Sequence, residues 1–187
     1  MRIISGQLRG KKILEPKDKN TRPLKDLVKE SIFNIITHSN KFETNIVNAN
    51  ILDLFSGTGS FGIEALSREA NHVTFVENYT GILDILKTNI RNLNLDKKFN
   101  IFKKNIFKDF VFKELSQEYD IIFLDPPFNE KEICLILSKI YNSNILKKNG
   151  ILIIHRNNKL KENFTEIFKV IEEKKYGISK IIFGNFG

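Results

Sequence analysis

From Asn50 onward, short apolar runs alternate with amphipathic stretches of helical length, and this alternation limits the fold more than any other feature. Ile51–Phe55, His72–Glu77, Phe99–Lys103, Tyr119–Leu124 and Gly150–Ile154 read as strands. Between them Gly59–Glu69, Thr80–Leu95 and Glu130–Tyr141 read as helices, with Ile82, Leu83, Ile85, Leu86 and Ile90 on one face of the second. Strands separated by helices pair in parallel, and their crossovers cover the sheet. Phe168–Glu172 and Ile178–Phe183 read as a closing pair. The expected architecture is α/β and Rossmann-like, with a mostly parallel seven-stranded sheet, helices on both faces, a C-terminal β-hairpin and a small N-terminal extension.

That extension is expected over residues 1–40, ahead of a main domain over 41–187. It reads as a short hairpin turning near Ser5-Gly6, a polar loop from Glu15 to Pro23, and a helix over Leu24–Thr37. Leu24, Leu27, Val28, Ile32, Ile35 and Ile36 supply the apolar spacing of that helix. Residues 1–30 hold nine basic and four acidic side chains, so they carry five of the eight net positive charges. A basic arm beside a nearly neutral domain is an electrostatic footprint for nucleic acid. Arg9, Lys11, Arg22 and Lys25 are the RNA-binding candidates. The competing reading is a solvated lysine-rich face.

The chain is long enough for one domain of 187 residues, and its apolar stretches stop well short of membrane-spanning length. We expect no signal peptide, since only two apolar residues follow Arg2. The single cysteine, Cys134, excludes an internal disulfide or a cysteine-rich metal site and reads as buried filler. We therefore expect a cytoplasmic protein without a metal or a membrane partner, acting as a monomer.

The strand Tyr119–Leu124 runs into Asp125-Pro126-Pro127-Phe128. Two prolines end a strand because neither donates a ladder hydrogen bond. The end leaves a carboxylate, the Pro126 carbonyl and an aromatic ring where open α/β sheets bind ligands. A planar base stacked on Phe128 would meet Asp125 and the Pro126 carbonyl with its exocyclic amine. Asp125, Pro126 and Phe128 are therefore the catalytic candidates. Alone, the tetrapeptide serves equally well as a plain strand-to-loop turn.

A second motif follows the first strand. Asp53-Leu54-Phe55-Ser56-Gly57-Thr58-Gly59-Ser60-Phe61-Gly62 sets glycines in a GxGxxG spacing between a strand and a helix. Glu77 ends the second strand, where an acid accepts both ribose hydroxyls. The pattern fits an adenosine-containing cofactor, either NAD or S-adenosylmethionine (SAM). A carboxylate at Asp53 suits an ammonium better than a pyrophosphate, and Asn105 after the third strand can meet an adenine edge. Asp53 as a turn-former and Asn105 as a loop residue are the plain readings. The cofactor-binding candidates are Asp53, Phe55, Gly57, Gly59, Gly62, Glu77, Asn105 and Asp125.

Gly57–Gly62, Glu77, Asn105 and Asp125–Phe128 together resemble the class I SAM-dependent methyltransferases that modify exocyclic amines. Ser5-Gly6, Arg9-Gly10-Lys11-Lys12, Thr21-Arg22-Pro23 and Asp26-Leu27-Val28-Lys29-Glu30-Ser31-Ile32-Phe33-Asn34 are similar to the bacterial 16S rRNA (guanine-N2)-methyltransferases of the RsmD type. The resemblance implies methyl transfer from SAM to a guanine N2 amine in 16S rRNA or the small ribosomal subunit. Asp125 and the Pro126 carbonyl would then orient the amine and Phe128 would stack the base. His155-Arg156 departs from the acidic residue the family often carries after the fifth strand, and no role is assigned to it. His38 and His72, at element ends, read as surface residues. A DNA adenine-N6 methyltransferase, a protein glutamine methyltransferase, an NAD-dependent oxidoreductase and a non-catalytic RNA-binding module are the alternatives.

Overall fold

Parallel pairing builds the centre of the sheet in the computed structural model, which describes residues 1–16, 22–95, 98–108, 110–115 and 117–187. Strands β1 (Asn50–Leu54), β2 (His72–Glu77), β3 (Phe99–Lys103), β4 (Tyr119–Leu124) and β5 (Leu146–Asn157) lie parallel in the order β3-β2-β1-β4-β5. The C-terminal hairpin of β6 (Phe168–Tyr176) and β7 (Ser179–Phe186) completes seven strands, with β7 antiparallel to β5 and β6 at the edge. Lys17, Lys19 and Thr21, which belong to the expected basic loop, lie outside the described residues.

Side-chain alternation along the strands divides the core into two layers. Ile51, Val73, Phe75, Ile121 and Phe123 face one layer, covered by α1 (Asp26–His38), α2 (Ser60–Ser67) and α3 (Thr80–Asn92). Leu52, Leu54, Val76, Ile122 and Leu124 face the other, under α4 (Ile133–Ser143) and the 3₁₀ turn Phe112–Glu114. Helices therefore cover both faces, as the alternation requires.

Several boundaries depart from the sequence pattern, each for a local reason. Phe55 leaves β1 because its φ of 60° is left-handed. β5 extends well beyond Gly150–Ile154, because β7 pairs with it from Leu152 to Asn157 and holds even polar His155 and Arg156 extended. In α1 the buried stripe is Val28, Ile32, Phe33 and Ile36, so Leu27 falls beside it and is 69% exposed. α4 starts at Ile133, after a turn closed by the Glu130 amide on the Pro127 carbonyl. Cys134 is half-buried, with Sγ donating to the Asn163 carbonyl at 3.4 Å.

The N-terminal segment is bound to the sheet domain by buried contacts. Arg2 and Lys12 form an antiparallel bridge, and Ile3 and Ile13 enter the same core layer as α2 and α3. Fully buried Glu64 accepts the amides of Ile4 at 2.8 Å and Ser5 at 2.9 Å. Its charge faces the equally buried Lys29, which donates to the Arg2 carbonyl at 2.9 Å and to Ser60 Oγ at 3.1 Å. A charge this deep is tolerated only when paired and hydrogen-bonded. Farther along, Asn89 bridges Leu14 to the Thr58 carbonyl in the turn after β1. Among the described residues no helix is long and apolar enough to cross a membrane.

Candidate active site

The strand order reverses direction at β1, whose neighbours β2 and β4 carry crossovers to opposite sides, and the C-terminal ends there open into a crevice. A cavity of about 300 Å³ fills it, lined by Arg22–Leu24, Asp53, Phe55–Thr58, Ser60, Phe61, Glu77–Tyr79, Phe123 and Asp125–Phe128. The residues at the ends of β1, β2 and β4 thus converge, although Asp53 and Phe128 stand 75 positions apart.

Three carboxylates line this cavity. Asp53 is 1% exposed, and its Oδ2 accepts the Gly62 amide at 3.1 Å, one of the orphan donors at the start of α2. Burial pushes its carboxyl pKa well above the usual range; the Gly62 bond opposes that, and the charges of Asp125 and Glu77 add to it. Glu77 is held by three backbone amides, Gly57 on Oε2 and Asn78 and Tyr79 on Oε1, each at 2.8 Å. Asp125 Oδ1 accepts from Arg22 Nη2 at 2.7 Å and from His155 Nδ1 at 2.9 Å.

The glycines divide their work. Gly59 has φ +79°, and a Cβ there would stand 2.4 Å from Leu86 Cδ1. A Cβ on Gly62 would stand 2.4 Å from the Phe75 ring, so this glycine lets α2 press onto β2. Gly57 lines the cavity; Gly59 and Gly62 shape it from behind. Phe55 turns its ring to the cavity and tilts against Phe107, with centroids 5.8 Å apart. A bulky residue with positive φ stores strain, which this turn sustains where the chain must change direction at once after the strand.

Not every sequence candidate reaches the cavity. Asn105 Oδ1 accepts the amides of Phe107 at 2.9 Å and Lys108 at 3.3 Å, which makes it a turn-former outside the lining residues. Arg9, Lys11 and Lys25 are exposed on the surface. Arg22 is drawn inward, with its guanidinium 3.6 Å from the Phe128 ring centroid and burial lowering its pKa. His38 is exposed, and half-buried His72 Nδ1 meets Gln117 Nε2 at 3.2 Å, far from the cavity lining. Among the described residues no cluster of His, Cys, Asp or Glu could hold a metal ion.

Two residues of the site went unassigned in the sequence. Leu124 pairs with Ile154, so Asp125 and His155 are the next positions on adjacent parallel strands. His155 is 1% exposed and meets Phe128 edge-on at 5.5 Å. Arg156, 2% exposed, donates to the Pro127 carbonyl at 3.4 Å and to the Glu130 carbonyl, while its Nε binds Glu162 at 2.6 Å. It therefore clamps the loop that carries Phe128. The available signal was position: both are polar residues directly following an apolar run, as Asp125 is.

Residues 1–185 match the family described as conserved hypothetical protein 95. Ribosomal RNA small subunit methyltransferase D of Haemophilus influenzae is 32% identical, over 95% of this chain and 90% of its own length. The protein of that name from Buchnera aphidicola subsp. Baizongia pistaciae is 31% identical, over 97% of this chain and 88% of its own. A solved structure of a candidate methyltransferase from Escherichia coli superposes with a TM-score of 0.79 at 26% identity, covering 100% of this chain and 97% of that one. Agreement in sequence along nearly the whole chain, and in fold over all of it, means that this chain belongs to the conserved hypothetical protein 95 family, with the ribosomal RNA small subunit methyltransferases D among its relatives.

Proposed function

We propose that this chain transfers a methyl group from SAM to the exocyclic N2 amine of a guanine in 16S rRNA, free or within the small ribosomal subunit, and that it works as a cytoplasmic monomer. The observation that carries the reading is the set of three carboxylates, Asp53, Glu77 and Asp125, lining one cavity in a protein of net charge +8. Such a lining suits a cation and repels a pyrophosphate, which favours SAM over NAD. It fits SAM in its parts as well: Glu77, oriented by three amides, presents its carboxylate to a ribose, and Asp53 lies where an ammonium would relieve its burial. Phe55, Gly57 and the turn to Gly62 border the same space.

SAM, when bound, would supply an electrophilic methyl group on a sulfonium, whose sulfur–methyl bond breaks as the nitrogen–carbon bond forms and leaves S-adenosylhomocysteine. The residues of the chain supply position and charge. An aromatic amine is a weak nucleophile because its lone pair is delocalised into the ring. Asp125 and the Pro126 carbonyl accept its two N–H bonds, aim the lone pair at the methyl carbon and favour a pyramidal nitrogen. Phe128 stacks the base, which must leave its helix or be presented in a loop. The amine proton leaves after transfer, when the methylated nitrogen is acidic enough to give it to water. Residues 1–40 form the RNA-binding extension and 41–187 the methyltransferase domain, with exposed Arg9, Lys11 and Lys25 facing phosphates and Arg22 contributing from the cavity it lines.

The test is label transfer. Purified protein, methyl-labelled SAM and small-subunit rRNA from cells lacking the protein should yield N2-methylguanosine on nucleoside digestion. Label in methyladenosine, in DNA or nowhere would overturn the reading.

A further inference from the structure

The Arg22 guanidinium stands where methylation needs a base. Its Nη2 donates to Asp125 Oδ1 at 2.7 Å, and its Cζ lies 3.6 Å from the Phe128 ring centroid. These are the two contacts assigned above to the substrate: a carboxylate for an amine hydrogen and a ring for stacking. The Arg22 side chain is 34% exposed, so it closes the cavity from the solvent side. It also reaches His155, with Nη2 3.1 Å from Nδ1 and Nη1 3.3 Å from Nε2, so one guanidinium occupies the carboxylate, the imidazole and the ring together.

The chemical likeness goes further. Guanine C2 bonds to N1, N2 and N3, a planar carbon with three nitrogens, as in a guanidinium. Adenine C6 and cytosine C4 carry only two nitrogens each. Arginine is also the side chain that stacks on aromatic faces while donating in its own plane. We infer that Arg22 is an internal occupant of the base slot, expelled when the target guanine enters, and that the expelled guanidinium re-pairs with the RNA backbone. The inference rests on the functional reading above.

Two features make the exchange workable. His155 Nδ1 stays on Asp125 Oδ1 at 2.9 Å, so the carboxylate keeps a partner while the arginine leaves. The departing cation needs an anion, and a base that arrives on RNA brings phosphates with it. Exposed Lys25, three residues beyond Arg22, adds a second cation to attract the backbone there. A free base brings no phosphate and competes poorly. The slot therefore admits a guanine only together with its backbone.

The experiment titrates guanosine, and adenosine as control, into wild type, Arg22→Ala and Arg22→Lys, all saturated with S-adenosylhomocysteine so that the cofactor cavity is filled. Removing the occupant should raise guanosine affinity about tenfold or more, because the competent fraction of empty slots rises. Adenosine should gain much less, and Arg22→Lys should fall between, since an ammonium can pair with Asp125 but cannot stack. Methylguanidine should displace guanosine from Arg22→Ala. In the same variant rRNA affinity should fall, with its log–log salt slope shallower by about 0.7. Opposite signs for free base and RNA are what a merely structural arginine would not produce. A cooperative thermal melt reports that the variants are folded, and Arg22→Lys carries the test if Arg22→Ala is not. Guanosine affinity that is unchanged or lower in the variants, beside a wild type that labels guanine N2, overturns the occupant and leaves the functional reading standing. A wild type that labels no guanine overturns both.

Discussion

Replacing Glu77 with alanine separates two tasks that the carboxylate performs at once. Its Oε2 holds the Gly57 amide and its Oε1 the amides of Asn78 and Tyr79, all at 2.8 Å. Truncation orphans three donors, but unequally. The Gly57 bond is buried, so the loss of its acceptor costs about 1–3 kcal/mol. The Asn78 amide belongs to an exposed residue and can take water at little cost. A loss near 2 kcal/mol lowers the melting temperature of a chain this size by about 4–8 °C. The ribose side is additional: charge-assisted hydrogen bonds worth about 1.5–3 kcal/mol reduce SAM affinity by about 10- to 150-fold. Thermal melts without ligand measure the first effect, and isothermal titration with SAM at a temperature below both transitions measures the second. An unchanged melting temperature would show that the amide bonds do not brace the loop. Unchanged SAM affinity beside a lowered melting temperature would show that Glu77 is a brace and no ribose ligand.

Three further outcomes follow from the same geometry. Asp125→Ala should reduce methyl transfer by about 100-fold or more while SAM affinity stays within a few fold, and retained activity in a rRNA methylation assay would make the tetrapeptide a plain turn. Burial raises the Asp53 pKa above its ordinary 3.8, so its contribution to stability is complete below that range and is lost as pH rises through the folded value. Asp53→Asn should therefore gain in melting temperature over wild type as the pH is raised, while binding SAM more weakly; a pH-independent difference would refute the burial argument. Reversing exposed Arg9, Lys11 and Lys25 to glutamate should weaken rRNA binding and flatten its salt dependence by about 0.7–0.9 per lost phosphate contact, with SAM affinity unchanged. An unaltered slope in filter binding would move the RNA surface elsewhere.

Much of this fold is legible in one dimension because the information is local. The boundaries of β2, β3 and β4 follow from apolar runs bounded by polar residues, and Pro126 and Pro127 end β4 whatever surrounds them. Glycine spacing after β1 marks a tight turn into a helix, and the left-handed φ at Gly57 and Gly59 meets that demand. Asp53, Glu77 and Asp125 each end or nearly end a strand, and parallel order then puts them at one end of the sheet.

What the tertiary structure decided concerns partners distant in sequence. Nothing local shows that Arg22 reaches Asp125, since 103 positions separate them and its charge alone reads as part of a basic arm. His155 lies beside Asp125 only because β4 and β5 pair in a particular register, and a slip of one residue would turn it to the other face. Asn105 and Leu27 show the converse, where a residue type suited to one task is given another by its neighbours. Residue type and local period set where each element begins, what ends it and which chemistry it carries. Burial, register and the pairing of buried charges are properties of elements brought together, and they determine which of those groups meet in the site.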